Sequence, residues 1–126
     1  MDKTIFIKIC AFYNLAFFVF HLFFWKLLDW KKELAKLKPI NSGVMQILNL
    51  RLIYVFLLVS VACFFFADEL ASTQLGKFLL LGFFLFWFGR LIEQFIFLRM
   101  KSRVLTILTA AFIAGVILHL LPLVLQ

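Results

Sequence analysis

Four long apolar runs, separated by three short polar connections, account for nearly the whole chain. The first extends from Ile5 to Leu28, the second from Val44 to Ala67, the third from Gly76 to Leu98 and the fourth from Val104 to Leu125. A helix needs about 20 apolar residues to cross a hydrocarbon core. The pattern therefore predicts four membrane-spanning helices and no separate soluble domain, so that residues 1–126 form one unit. The first run ends in FFWKLLDWKK, without the small residues of a signal-peptidase site, and is read as a retained span.

The connections carry the local signals. In WKKELAKLK, Trp30 to Lys38, apolar residues recur at helical spacing with lysines between them, which predicts an amphipathic segment in the membrane interface. Pro39 is expected to end it, with Asn41, Ser42 and Gly43 forming the turn and cap before the second span. DELASTQ reads as an acidic turn in which Ser72 or Thr73 caps the third span, and RMKSR as a short basic turn. Short connections between antiparallel neighbours predict an all-α, four-transmembrane-helix antiparallel bundle of the up-and-down kind.

Composition agrees with this class: 66% of residues are apolar, 19 are Phe and the mean hydropathy is +1.12. The net charge of +7 does not indicate nucleic acid, because the basic residues sit between apolar runs, where they meet anionic lipid headgroups. Lys26, Lys31, Lys32, Lys36 and Lys38 flank the first connection and Arg99, Lys101 and Arg103 the third, against Lys77 alone at the second. The positive-inside rule then places the first and third connections in the cytoplasm and both termini outside. Cys10 and Cys63 give neither a disulfide framework nor a CxxC motif.

The polar residues inside the runs are the candidate chemistry. At about 100° per residue, Cys10, Asn14 and His21 share a face of the first span, and Gln46, Asn49, Ser60 and Cys63 share a face of the second. Arg51 points nearly opposite Asn49. On the third span Arg90, Glu93 and Gln94 align, and on the fourth Phe112, Gly115 and His119 align beside Ala111. Ala111 and Gly115 form a small-residue seam, and Gly82 and Gly89 lie two turns apart on the third span. By depth, His21, Gln46, Asn49, Arg90, Glu93 and Gln94 fall in the cytoplasmic half.

A charge inside a span is costly unless it is paired or lines a cavity, on the order of 2.5 kcal/mol or more. This predicts that Glu93 pairs with Arg90, three residues earlier on the same face, or else with Arg51 of the second span. The alternative role for the cluster is a cavity open to the cytoplasm. Cys10, Cys63 and His119 lack a fourth ligand and tight spacing, and His21 and His119 lie near opposite faces, so no metal site, haem or other cofactor is expected.

The segments NLAFFVFHLFFW, LNLRLI and FWFGRLIEQFIF together resemble small four-span bacterial integral membrane proteins. That resemblance implies a topology and a bacterial inner membrane, and no activity. The motifs of DoxX-like proteins, small multidrug exporters, fluoride channels and membrane-bound glutathione transferases do not occur.

The leading functional expectation is a non-enzymatic protein that binds or passes on a lipid-like or anionic amphiphile through a cytoplasmic-half polar cavity. Its candidate residues are Asn14, His21, Gln46, Asn49, Arg51, Arg90, Glu93 and Gln94. The second is an accessory subunit of a larger membrane complex, its polar cluster purely structural. A third, an enzyme with Glu93 as base and His21 as relay, has only Arg90 to stabilise an electrophile. The expected partners are membrane lipids, with a homo-oligomer or a larger membrane complex left open.

Overall fold

A computed structural model of the chain describes residues 2–125; Met1 and Gln126 lie outside them. Among the described residues seven α-helices follow in order: α1 (Lys3–Leu22), α2 (Phe24–Leu27), α3 (Trp30–Glu33), α4 (Pro39–Phe65), α5 (Ala67–Ser72), α6 (Gln74–Phe97) and α7 (Arg103–Val124). Four of them, α1, α4, α6 and α7, are long and apolar enough to cross a membrane, and the protein is an all-α integral membrane protein.

Local chemistry sets the helix ends. Asp2 caps α1, its carboxylate accepting from Thr4 N at 3.2 Å, a bond that holds its pKa below the usual carboxylate range. Thr73 caps α6, its hydroxyl accepting from Gly76 N at 2.9 Å and donating to Glu69 O at 2.7 Å. Pro39 opens α4 rather than closing the preceding segment, so Asn41, Ser42 and Gly43 lie inside the helix instead of forming a turn. The reason is that proline's fixed φ and missing N–H suit the first helical position.

The first span is shorter than its apolar run. α1 stops at Leu22, and residues 24–36 fold back as α2, α3 and a 3₁₀ turn (Leu34–Lys36). Asp29 makes the reversal in the left-handed region, at φ 50°, a conformation Asp tolerates better than most residues. Trp30 and Leu34 then bury their side chains at 7% and 6% exposure. The lysine-rich segment is thereby tied down, with Trp30 edge-on to Phe24 and Trp25 at centroid distances of 5.8 and 5.3 Å. The acidic connection likewise differs from a turn. Its α5 tucks Ala67 and Leu70 against Ile7, Cys10, Cys63 and Leu80. Gly76 permits this, since a Cβ there would overlap the backbone of Leu70 and Glu69.

Cross-helix contacts fix the arrangement. Ser60 donates to Ala11 O at 2.8 Å and Asn49 to His21 O at 3.1 Å, so α1 and α4 run antiparallel. Tyr13 reaches Ala111 O and Cys10 reaches Leu118 O, which sets α7 antiparallel on the other side of α1. α6 packs on α7. α4 and α6, though consecutive spans, keep their backbones apart. They meet instead through aromatic side chains: Trp87 stacks on Phe56 at 5.5 Å and contacts Phe17 at 4.8 Å, with Phe112 completing the cluster.

Candidate functional site

The buried polar groups separate into two centres. The first joins α1 to α7. Asn14, 1% exposed, donates one amide hydrogen to Cys10 O at 2.8 Å and the other to His119 Nε2 at 3.0 Å. His119 Nδ1 lies 2.7 Å from Gly115 O. A carbonyl only accepts, so Nδ1 carries the proton and Nε2 is the acceptor for Asn14. The same logic orients the Asn14 amide, because Cys10 O requires an N–H. Tyr13 closes the centre, with Oη donating to Ala111 O at 2.8 Å and its ring edge-on to His119 and Trp87. Gly115 makes room for that ring, since a Cβ there would overlap it.

The second centre lies nearer the basic connections. His21 sits with Nδ1 2.9 Å from Phe17 O, its ring stacked on Phe24 at 4.2 Å and packed on Phe56 at 4.9 Å. Gln94 donates to Leu105 O and to Thr109 Oγ1, both at 3.3 Å. The carbonyl oxygens of Asn49 and Gln94 are enclosed without a donor among the described residues. Gln46, part-buried, accepts from Trp25 Nε1 at 3.1 Å and donates to Ser42 O at 3.3 Å.

The two charges expected at the middle of this centre are not a pair. Among the described residues the one ion pair within 4 Å is the exposed Lys36–Glu33 contact at 3.2 Å. Glu93 is exposed. Arg90 is half-buried, its guanidinium 4.5 Å from the centroid of the Phe112 ring. The aromatic face meets the cation where a carboxylate was expected. Glu93 lies about one turn from the end of α6, close enough to the boundary for its carboxylate to reach the headgroups. Arg51 is exposed as well, over the Tyr54 ring at 5.8 Å. No hydrogen bond joins Glu93 to His21 among the described residues, where the His21 ring nitrogen Nδ1 is taken up by Phe17 O. Cys10, Cys63 and His119 do not converge on a metal position either, and no group of three His, Cys, Asp or Glu does among the described residues.

The separation of α4 from α6 leaves a groove of about 230 Å³ on the flank of the bundle. Val55, Phe56 and Val59 form one wall; Leu79, Gly82, Phe83, Phe86 and Trp87 form the other, and Asn14 of α1 lies among the lining residues. Phe78 and Phe86 on its rim are 70% and 40% exposed, so it opens sideways where acyl chains would lie. Gly82 belongs to this space: a Cβ there meets nothing within 4 Å, and the same holds for Gly89. Neither glycine is a point of close helix approach. A second, wider cavity of about 440 Å³ lies beside Trp25, Trp30, Lys31, Ser42 and Gln46.

Two residues that organise the site carry no charge and escaped the polar-face reasoning. Trp87 is 1% exposed, and its signal was position: Trp25 and Trp30 stand at a span end, as interfacial tryptophans do, whereas Trp87 falls inside a span. Tyr13 carries a hydroxyl inside the first span, a group that must find a partner. No protein-family model, curated protein or solved structure matches this chain.

Proposed function

We propose that the protein binds a lipid-like amphiphile that enters sideways from the bilayer between α4 and α6. The groove between those helices carries the reading, because its walls are aliphatic and aromatic and its rim is open to the flank. At about 230 Å³ it is below the ~300–1,000 Å³ usual for small-molecule pockets, which suits a narrow chain better than a bulky ring system. Arg90 and Arg51 lie on the side of the groove nearer the basic connections, and an anionic headgroup of such a ligand would meet them there. Orientation is part of the same proposal: the first and third connections face the cytoplasm of a bacterial inner membrane and both termini face outward, as the uneven distribution of basic residues favours.

Mass spectrometry of the protein released intact from mild detergent tests the reading. The unmodified protein is expected to keep an apolar adduct, Gly82→Leu to lose it by filling open space in the groove, and Gly89→Leu to retain it. Equal adducts in all three, or none in any, would overturn the proposal. The accessory-subunit reading draws on a different observation. Tyr13, Ser60 and His119 each spend a polar hydrogen on a backbone carbonyl, so helix packing alone accounts for them. Co-purification of a larger membrane protein with no adduct would favour that reading.

A further inference from the structure

The folded-back segment encloses a cavity of about 440 Å³ that shares no lining residue with the groove between α4 and α6. Trp25 of α2, Trp30 and Lys31 of α3 and Ala35 of the 3₁₀ turn line one side; Ser42 and Gln46 of α4 line the other. Its volume falls within the ~300–1,000 Å³ usual for small-molecule sites. Its depth follows from helix length. At about 1.5 Å per residue, the 27 residues of α4 rise about 40 Å, roughly 10 Å more than a hydrocarbon core is thick. Lys36 and Lys38 precede the first turn of α4 and hold that end among the headgroups, so Ser42, within that turn, stands at headgroup depth.

The side chains around the cavity have hydrogens left to give. Trp25 Nε1 donates to Gln46 Oε1, and Gln46 Nε2 donates to Ser42 O and, at 3.4 Å, to Ser42 Oγ. Each side-chain acceptor on the lining is thus already engaged. The Lys31 ammonium, the Ser42 hydroxyl and the Trp30 indole N–H donate to nothing among the described residues. No carboxylate lines the cavity: Glu33 is held by Lys36 at 3.2 Å, and Asp29 makes the chain reversal.

We propose that this cavity binds a phosphodiester, the headgroup of an anionic phospholipid, with Lys31 on its phosphate. One ammonium matches the single charge of a phosphodiester better than the ≈ −1.5 to −2 of a phosphomonoester. A quaternary ammonium would suit the two indoles but would meet Lys31 with like charge. A carboxylate has two oxygens for three donor groups, whereas a phosphodiester has four. Held there, the lipid bridges the folded-back segment and α4 and stabilises the folded chain.

Thermal unfolding in an uncharged maltoside detergent tests the assignment, because a ligand that binds only the folded chain raises the transition temperature. The probes are dioctanoyl phosphatidylglycerol, dioctanoyl phosphatidylcholine and glycerophosphoglycerol, which has the headgroup and no chains. Phosphatidylglycerol is expected to act saturably, at about five- to tenfold lower concentration than either other probe. Lys31→Gln should weaken its effect by about the same factor, Lys32→Gln by less than about twofold, and Ala35→Phe should abolish it by filling the cavity without changing charge. Gly82→Leu, which fills the groove, should leave it intact; its loss there would place the lipid in the groove and overturn the proposal. Equal effects of Lys31→Gln and Lys32→Gln, with Ala35→Phe still responding, would mean diffuse attraction and overturn the site. Phosphatidylcholine acting like phosphatidylglycerol would overturn the anion, a comparison that holds even if a variant does not fold. Glycerophosphoglycerol acting at the concentration of the lipid would keep the phosphodiester and overturn the lipid as its source.

Discussion

Gly115→Ala is expected to be among the most damaging one-methyl changes in the protein. A Cβ at 115 would overlap the Tyr13 ring at Oη, Cζ and Cε1, so the ring must tilt or α7 must back away from α1. Tilting breaks the 2.8 Å bond from Tyr13 Oη to Ala111 O, and such bonds between membrane helices are worth about 0.6 kcal/mol on average and at most ~1.7. It also disturbs the edge-on contacts of the ring with Trp87 at 4.9 Å and His119 at 5.5 Å, each worth roughly 0.5–1.5 kcal/mol. Overpacking adds about 1–3 kcal/mol, against which alanine's better helix propensity returns up to ~1. Together these terms span about 2–7 kcal/mol, and because a ring that tilts relieves the overpacking, the net loss should fall at the lower end, about 2–3 kcal/mol.

Gly89→Ala is the matched control, since a Cβ there meets nothing within 4 Å and the propensity gain stands alone. Unfolding in mixed detergent and dodecyl sulfate micelles, followed by tryptophan fluorescence, reads both. Tyr13→Ala combined with Gly115→Ala should lose clearly less than the sum of the two single changes, because the clash needs both partners. Equal shifts for Gly115→Ala and Gly89→Ala would show that Tyr13 does not fill the space over Gly115.

Two further outcomes follow from the charges. Glu93→Gln should lie within about 0.5 kcal/mol of the unmodified protein, and its effect should add to that of Arg90→Gln in the double variant, because Glu93 is exposed and Arg90 rests on Phe112; recovery of stability in the double variant would restore the ion pair. A cysteine at Lys36, in a chain lacking Cys10 and Cys63, should resist an impermeant thiol reagent applied to intact cells and react after lysis; labelling from outside would invert the orientation.

Much of the helical layout was legible because it depends on local properties. Apolar run length located four spans, and the 3.6-residue period put Cys10, Asn14 and His21 on the buried face of the first, Ser60 and Cys63 on that of the second, and Phe112, Gly115 and His119 on that of the fourth. Hydroxyl chemistry narrowed the cap of the third span to Ser72 or Thr73, and Thr73 makes it. Run length misled at residues 23–28, since hydropathy does not register a reversal at one left-handed residue, Asp29.

What the sequence left undecided was which faces meet. Angular projection orients residues within one helix and says nothing about which neighbour lies across from them. Arg90 and Glu93 share a stripe, yet their separate fates, on an aromatic face and at the exterior, depended on where α7 stood relative to α6. Likewise α4 and α6 are consecutive and antiparallel, a relation that argues for contact. The tertiary structure instead interposes the rings of Phe56, Trp87 and Phe86 and anchors α4 to α1 and α6 to α7. That choice opened the groove and brought Asn14 to its base, because large aromatic side chains hold two backbones apart and the space beside them stays empty.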